Sequence, residues 1–274
     1  MRGSILVFIS IAIMLGGAEG QQTRLENLRH KTVLVFTPHP DDDVFGAGGT
    51  IALLNRNGNK VYIAIYTNDD KGSYDPDMTS QRLAGIRKME EEISEGHLGT
   101  DKENIMWLGY DDGMLEYAPQ PKLVEEATAI IRRIRPDVLL SVDPGEWYER
   151  WHKTDHRMAA FNTIDAVRAA EFWLYFPNQR LQRGLQPYKV PEMYFFYPAP
   201  QEANYWVNIE GVAQLKFDAA SKQVSQFEPA VNKYRADWDA ADLTKAKAEM
   251  SQLQPRKDGH YVEAFRRATE FNQY

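Results

Sequence analysis

A chain of 274 residues, 43% hydrophobic and 26% charged, can bury one large core, as a single domain or a domain with appendages. Its net charge of -7 and pI near 5.5, with no long basic run, exclude the electrostatic footprint of a nucleic-acid partner. Cysteine is absent, which removes disulfides, thiolate ligands and a lipoprotein anchor and leaves His, Asp and Glu to hold any metal.

Residues 1–20 carry a basic residue, Arg2, an apolar core over residues 5–15, and small residues Ala18 and Gly20 at a cleavage position. That is a secretory signal pattern, and its apolar core is too short for a confident membrane span. Cleavage is expected near Gly20, giving a secreted or periplasmic protein with no stable membrane anchor and one domain over residues 21–274. An uncleaved amino-terminal anchor is the alternative.

The run Val33-Leu34-Val35-Phe36 is predicted as a buried parallel strand. Thr37-Pro38-His39-Pro40-Asp41-Asp42-Asp43 then sits at its carboxyl end, where open α/β sheets place their ligands. At about 6 Å and an effective dielectric near 20, two carboxylates repel by roughly 2 to 3 kcal/mol, and a cation among them removes the problem. His39 and Asp42, three positions apart across a proline-stiffened turn, can converge on one metal as nitrogen and oxygen ligands, leaving Asp41 beside it as a base. The competing reading is a solvated acidic turn that caps the next helix.

Gly46-Ala47-Gly48-Gly49-Thr50 opens a predicted helix that stops at Asn57-Gly58-Asn59. The glycines faintly resemble a dinucleotide fingerprint, but the acidic loop before them would repel a pyrophosphate, and close helix packing explains them better. A second strand over 61–67 ends in Asn68-Asp69-Asp70, and a helix runs from Thr79 to about Glu95. On it Arg87 and Glu90 share a face and are expected to form a surface ion pair worth under about 0.5 kcal/mol. A third strand over 104–109 leads into Tyr110-Asp111-Asp112-Gly113. An amphipathic helix over 121–135 and a fourth strand over 138–142 follow. Four alternations predict a parallel sheet with right-handed crossovers and helices on both faces.

Trp147-Tyr148-Glu149-Arg150-Trp151-His152-Lys153-Thr154-Asp155-His156-Arg157 is aromatic, basic and histidine-bearing at once. His156 opens a helix expected to bury Ala159, Phe161, Ile164, Ala166 and Val167. A protonated histidine is a poor partner for a helix amino terminus, so a neutral, metal-bound imidazole accounts for it; a packed or surface histidine is the alternative. Beyond it, strands are predicted over 193–197 and 205–209. Helices are predicted from Val212 to about Phe227, over 242–253 and after Gly259. This tail is expected to pack onto the sheet and wall the cleft.

Pro38-His39-Pro40-Asp41-Asp42-Asp43, Arg87 with Glu90, Leu108-Gly109-Tyr110-Asp111-Asp112-Gly113 and Thr154-Asp155-His156-Arg157 together resemble, in order and spacing, the PIG-L/LmbE family of metal-dependent de-N-acetylases. The resemblance spans nearly the whole mature chain, and its first motif is the specific one. It implies a Rossmann-like, mostly parallel sheet with the site at the carboxyl ends of the strands. It also implies one zinc, or another divalent ion, on His39, Asp42 and His156. Asp41 would be the general base, Asp155 would orient an imidazole, and Arg87 and Asp112 would contact sugar hydroxyls. The substrate would be an N-acetylated amino sugar of N-acetylglucosamine type or its glycoconjugate. Two close ligands and a third 114 positions on (156 - 42) suit a catalytic zinc with an open position.

Two positions depart from the family. Asp43 stands where the family has Glu, and Lys153 stands three before the ligand histidine, where the family has an oxyanion-stabilising histidine. His152, one residue further back, has the right chemistry and is the favoured donor. Lys153 is in register but sits on a flexible stem. Two other readings are a metal-dependent amidase on another N-acyl substrate and a carbohydrate-binding protein with an impaired site.

Overall fold

The computed structural model describes residues 24–145 and 154–268. The expected leader and the stretch holding His152 and Lys153 lie outside the described residues. β1 (Thr32–Thr37), α1 (Asp42–Arg56), β2 (Lys60–Thr67), α2 (Ser80–Leu98), β3 (Ile105–Tyr110), α3 (Gln120–Ile134), β4 (Val138–Val142) and α4 (Thr154–Glu171) alternate as the hydrophobic pattern predicts. The short α5 (Pro177–Leu181) is followed by β5 (Glu192–Phe196), β6 (Tyr205–Asn208), α6 (Ala213–Ala220), α7 (Ala240–Leu253), β7 (Arg256–Lys257) and β8 (His260–Arg267).

The sheet order is β3-β2-β1-β4-β5-β8-β6, with β7 paired to β8. The first five strands run parallel, and β8 is antiparallel to both β5 and β6. Val35 lies opposite Ile63 on one side and Leu140 on the other, all fully buried, because α1, α2 and α6 pack as one group of helices and α3 with α4 as another. The strand order reverses at the junction of β1 and β4, and the crevice at their carboxyl ends is the place such sheets reserve for ligands. No helix among the described residues is long and apolar enough to cross a membrane.

Three expectations are corrected. The segment after Gly259 is strand β8, not a helix. Asp258 and Gly259, with φ of 52° and 82°, form the two-residue turn of a hairpin in which Lys257 faces His260. Helix α1 begins at Asp42 rather than at the glycines, and Phe161 on α4 is exposed rather than in the core.

The glycines of α1 serve close approach. A Cβ on Gly49 would stand 2.8 Å from Ile209, and one on Gly46 would stand 2.6 Å from the Phe196 ring. Through this gap Glu263 of β8 reaches α1, accepting hydrogen bonds from the amides of Gly49 (2.8 Å) and Thr50 (2.7 Å) and from the Thr50 hydroxyl (2.6 Å). Lys216 of α6 closes the arrangement, donating to Glu263 at 2.6 Å and to the Phe45 carbonyl at 2.8 Å, with both charged side chains buried. Removing one member leaves a buried charge without its partner. Lys216→Met is therefore expected to lower the unfolding free energy by about 3 to 5 kcal/mol in urea titrations, with part recovered in Lys216→Met/Glu263→Gln. A Lys216→Met protein as stable as the parent would show that the pair is not what fastens the tail to α1.

Candidate active site

The turn from β1 into α1 is fixed before any catalytic group is considered. Thr67 donates to the Pro38 carbonyl through its amide (3.0 Å) and its hydroxyl (2.9 Å), and the Thr37 hydroxyl donates to the His39 carbonyl (3.0 Å). Asp41 occupies the position before the helix with φ of 136°, a strained value for a residue with a side chain, and its carboxylate does not cap α1. The capping reading of this acidic turn therefore fails for Asp41.

His39 is 1% exposed and flanked by acids on both sides. Its Nδ1 lies 2.9 Å from Asp42 Oδ2, and its Nε2 lies 3.1 Å from Asp112 and 3.5 Å from Asp155. The same Asp42 oxygen is 3.0 Å from Nε2 of His156, and the two imidazole rings are 5.2 Å apart. One carboxylate oxygen thus stands between two imidazoles that come from chain segments far apart in sequence. Asp155 also accepts from the amides of Gly113 (2.5 Å) and Leu115 (3.1 Å), which fastens the loop after β3 to the start of α4.

The electrostatics follow the geometry. Burial alone would drive a proton off His39, but the hydrogen bonds to Asp112, Asp155 and Asp42 win, and its affinity for a proton rises well above the ordinary value. Burial alone would likewise protonate Asp42, but His156 and His39 hold it ionised, far below the usual carboxylate range. His39, Asp42 and His156 place two nitrogens and an oxygen within 4.8 Å of one another, the donor set of a catalytic zinc site. His39, Asp112 and Asp155 also cluster, but Asp155 already accepts two backbone amides, which makes it a support for the His39 ring.

The family model of PIG-L, GlcNAc-PI de-N-acetylase, matches residues 34–167. A diacetylchitobiose deacetylase from Thermococcus kodakarensis is 34% identical over 197 residues, covering 72% of this chain and 70% of that protein. This chain belongs to the PIG-L/LmbE family. It is an enzyme of the family's metal-dependent N-deacetylase class. The N,N'-diacetylchitobiose deacetylase from Pyrococcus horikoshii, solved with an inhibitor, superposes with a TM-score of 0.72 at 30% identity, over 89% of this chain and 86% of that one. The 4-carboxy-2-hydroxymuconate hydratase GalB from Pseudomonas putida, at 20% identity and a TM-score of 0.64 over 87% and 96%, shares the fold alone.

In this PIG-L family member Arg87 and Glu90 are not a surface ion pair. Both are buried; Arg87 pairs with Asp69 and donates to the Gly72 carbonyl (2.7 Å), while Glu90 accepts from the amide (2.9 Å) and hydroxyl (2.7 Å) of Ser225. Arg87 lies within electrostatic reach of Asp41, Asp112 and Asp42 and is the cation beneath the site. Asp112 sits at the rim, its amide donating to Asp70 at 3.1 Å. His152 and Lys153 lie outside the described residues, so the oxyanion donor is not assigned between them.

Sequence reasoning missed two groups. Tyr197, just past β5, has φ of 58° and a ring parallel to that of His156, at 5° and 6.3 Å. Burial and the charges of Asp42, Asp41 and Asp43 keep its phenol protonated, well above the ordinary value. The second group is Asp43 with Glu91 and Glu95 of α2, three carboxyl groups that are all fully buried. Burial and mutual repulsion raise the proton affinity of Asp43 and Glu91, and burial pushes Glu95 up to about 7. A polar stripe on α2, Arg87, Glu90, Glu91, Ser94 and Glu95, faces inward, while Met89 and Ile93 face out. That inverted amphipathicity was the available signal.

Burial also pushes Glu90 up to about 7. An unfolded glutamate titrates near 4.3, so the folded state binds these protons more tightly. The resulting stability is complete below about pH 4.3 and is lost as pH rises towards 7. The urea midpoint is therefore expected to fall between pH 5 and pH 8, and the slope to flatten in Glu95→Gln. Identical slopes in both proteins would remove Glu95 from the cause.

Proposed function

We propose that this enzyme hydrolyses the acetamide of an N-acetylated amino sugar of N-acetylglucosamine type, free or in a glycoconjugate, releasing acetate and a free amine. The observation that carries the reading is Asp41, held in a strained backbone and not spent on capping, beside the His39–Asp42–His156 donor set. The names of the relatives point to the same substrate class, since both the Thermococcus and Pyrococcus proteins are diacetylchitobiose deacetylases. A divalent ion, zinc in the first instance, bound by His39, Asp42 and His156 would polarise the acetyl carbonyl and acidify the attacking water.

The remaining roles fall to the chain itself. Asp41 takes the proton from the water as its oxygen adds to the acetyl carbon, and returns it to the amine nitrogen as the C–N bond breaks. Asp112 and Asp155 hold the His39 ring in one orientation from its far nitrogen. Asp112, at the rim, meets the sugar hydroxyls; Arg87, expected from the sequence to do so as well, is buried and paired with Asp69 and acts from beneath the site. His152 or Lys153 donates to the carbonyl oxygen as negative charge develops on it.

The test is zinc-loaded protein with a panel of N-acetylated amino sugars, with acetate and primary amine measured together. Equal appearance of both is expected, and no acetate from any member of the panel would end the reading. Asp41→Asn should keep its metal while turnover drops by about 10²- to 10⁴-fold, the usual worth of a general base. Loss of metal together with activity would make Asp41 a ligand instead.

The export reading rests on the signal pattern of residues 1–20. Mass spectrometry of the protein recovered outside the cytoplasm should find its first residue near Gln21. A chain beginning at Met1 or Arg2 would refute cleavage.

A further inference from the structure

A cavity of about 480 Å³ is lined in part by Tyr197, the residue whose ring also lies parallel to that of His156. The first turn of α1 contributes Phe45, three residues after Asp42, and Pro198 follows Tyr197 in the lining. Met250, Leu253 and Pro255, from the end of α7 and the residues after it, complete it. The volume falls within the range of small-molecule sites.

Its chemistry is one-sided. Four of the residues around it carry polar side-chain groups, Tyr197, Lys216, Gln254 and Glu263, and the two charged ones are committed within the protein. Lys216 donates to Glu263 and to the Phe45 carbonyl; Glu263 accepts from Lys216, Gly49 and Thr50; the Gln254 amide nitrogen donates to the Val262 carbonyl at 2.6 Å. A sugar ring placed there would lose water from more hydroxyls than these side chains can satisfy, and that desolvation is unfavourable. Alkyl or aryl surface has no such requirement. The cavity also begins only one aromatic ring away from a proposed metal ligand, so a group occupying it can belong to the molecule being hydrolysed.

We propose that this cavity is a subsite for an apolar substituent of the substrate, with Tyr197 as the residue it shares with the reaction centre. The proposal rests on the deacetylase reading for the identity of the reacting amide. The apolar group has two chemical sources, an aglycone on the anomeric oxygen or an acyl chain longer than acetyl on the nitrogen.

Two substrate series separate these sources. The first is the methyl, propyl and hexyl glycosides of N-acetylglucosamine; the second is methyl glucosaminide carrying acetyl, butyryl or hexanoyl on nitrogen. In one series KM is expected to fall by roughly threefold to fourfold per methylene that enters the cavity. Leu253 is 70% exposed at the mouth, so Leu253→Asp leaves the fold intact. That variant should abolish the chain-length gain while kcat and KM for the methyl glycoside of N-acetylglucosamine stay unchanged. Calorimetry with hexyl glucoside, which has no amide, reads the subsite without turnover: binding should be at least tenfold tighter than methyl glucoside and weaken at least fivefold in Leu253→Asp. Turnover with no chain-length dependence in either series overturns the subsite and leaves the deacetylase reading standing. Hexyl glucoside binding that Leu253→Asp weakens, with no acetate from any glycoside, sustains the subsite and overturns the deacetylase reading. Hexyl glucoside binding that Leu253→Asp does not weaken places the ligand elsewhere and overturns the subsite.

Discussion

Three consecutive aspartates are buried on one turn of chain, and most of the structure around them exists to make that tolerable. The amino terminus of α1 contributes its dipole, but a helix end is worth only about 0.3 to 1 kcal/mol per favourable charge, too little for three. Each aspartate has its own solution. Asp42 lies between two imidazoles. Asp43 joins Glu91 and Glu95, where raised proton affinity replaces charge with shared protons. Asp41 has an unfavourable backbone angle, with the Arg87 guanidinium as the nearby cation. Identical side chains at adjacent positions thus meet three different surroundings, and for Asp42 and Asp43 these move proton affinity in opposite directions.

The tail, expected as a wall of the cleft, supplies structural members of this arrangement. Residues 216–226 satisfy the acidic face of α2 and the start of α1. Ser225 binds Glu90, Gln223 donates to Glu91 at 2.8 Å, Gln226 donates to Asp69 at 3.1 Å, and Lys216 meets Glu263. Asp69 in turn pairs with Arg87. A chain of contacts therefore runs from a segment late in the sequence to the cation beneath the catalytic turn. Truncating the protein after α4 would remove β5, β8 and β6 from the sheet and take Ser225 and Gln223 from the buried carboxylates of Glu90 and Glu91.

Much of this was legible in the sequence, for identifiable reasons. The runs 33–36, 61–66 and 138–140 are continuously apolar because helices flank the sheet, and such runs admit few readings other than buried strands. His39 and Asp42 were visible because prolines on either side of His39 limit where its side chain can go. The misplacement of Arg87 and Glu90 came from the assumption that a helix buries its apolar face. On α2 the buried stripe is charged, and so Arg87 and Glu90 were placed at the surface. The hairpin at Asp258-Gly259 was missed for a different reason. Strand β8 carries Glu263 at a fully enclosed position, and a buried acid in the middle of a strand breaks the alternation by which strands are recognised.

The acids around His39 also hold the ring in place from both of its nitrogens. An imidazole flanked by Asp42 at one nitrogen and by Asp112 and Asp155 at the other is best satisfied when both nitrogens carry a positive group. With two protons it is an imidazolium between carboxylates. A divalent ion held by His39, Asp42 and His156 would supply positive charge to the same acids, while Asp112 and Asp155 hold the ring from its other nitrogen. Asp155 is fixed by two backbone amides, and the His39 carbonyl is fixed by Thr37, so the ring is held from both ends before the ion arrives. Preorganisation of this kind lowers the reorganisation that metal binding would otherwise require, and it does so with residues that never touch the ion.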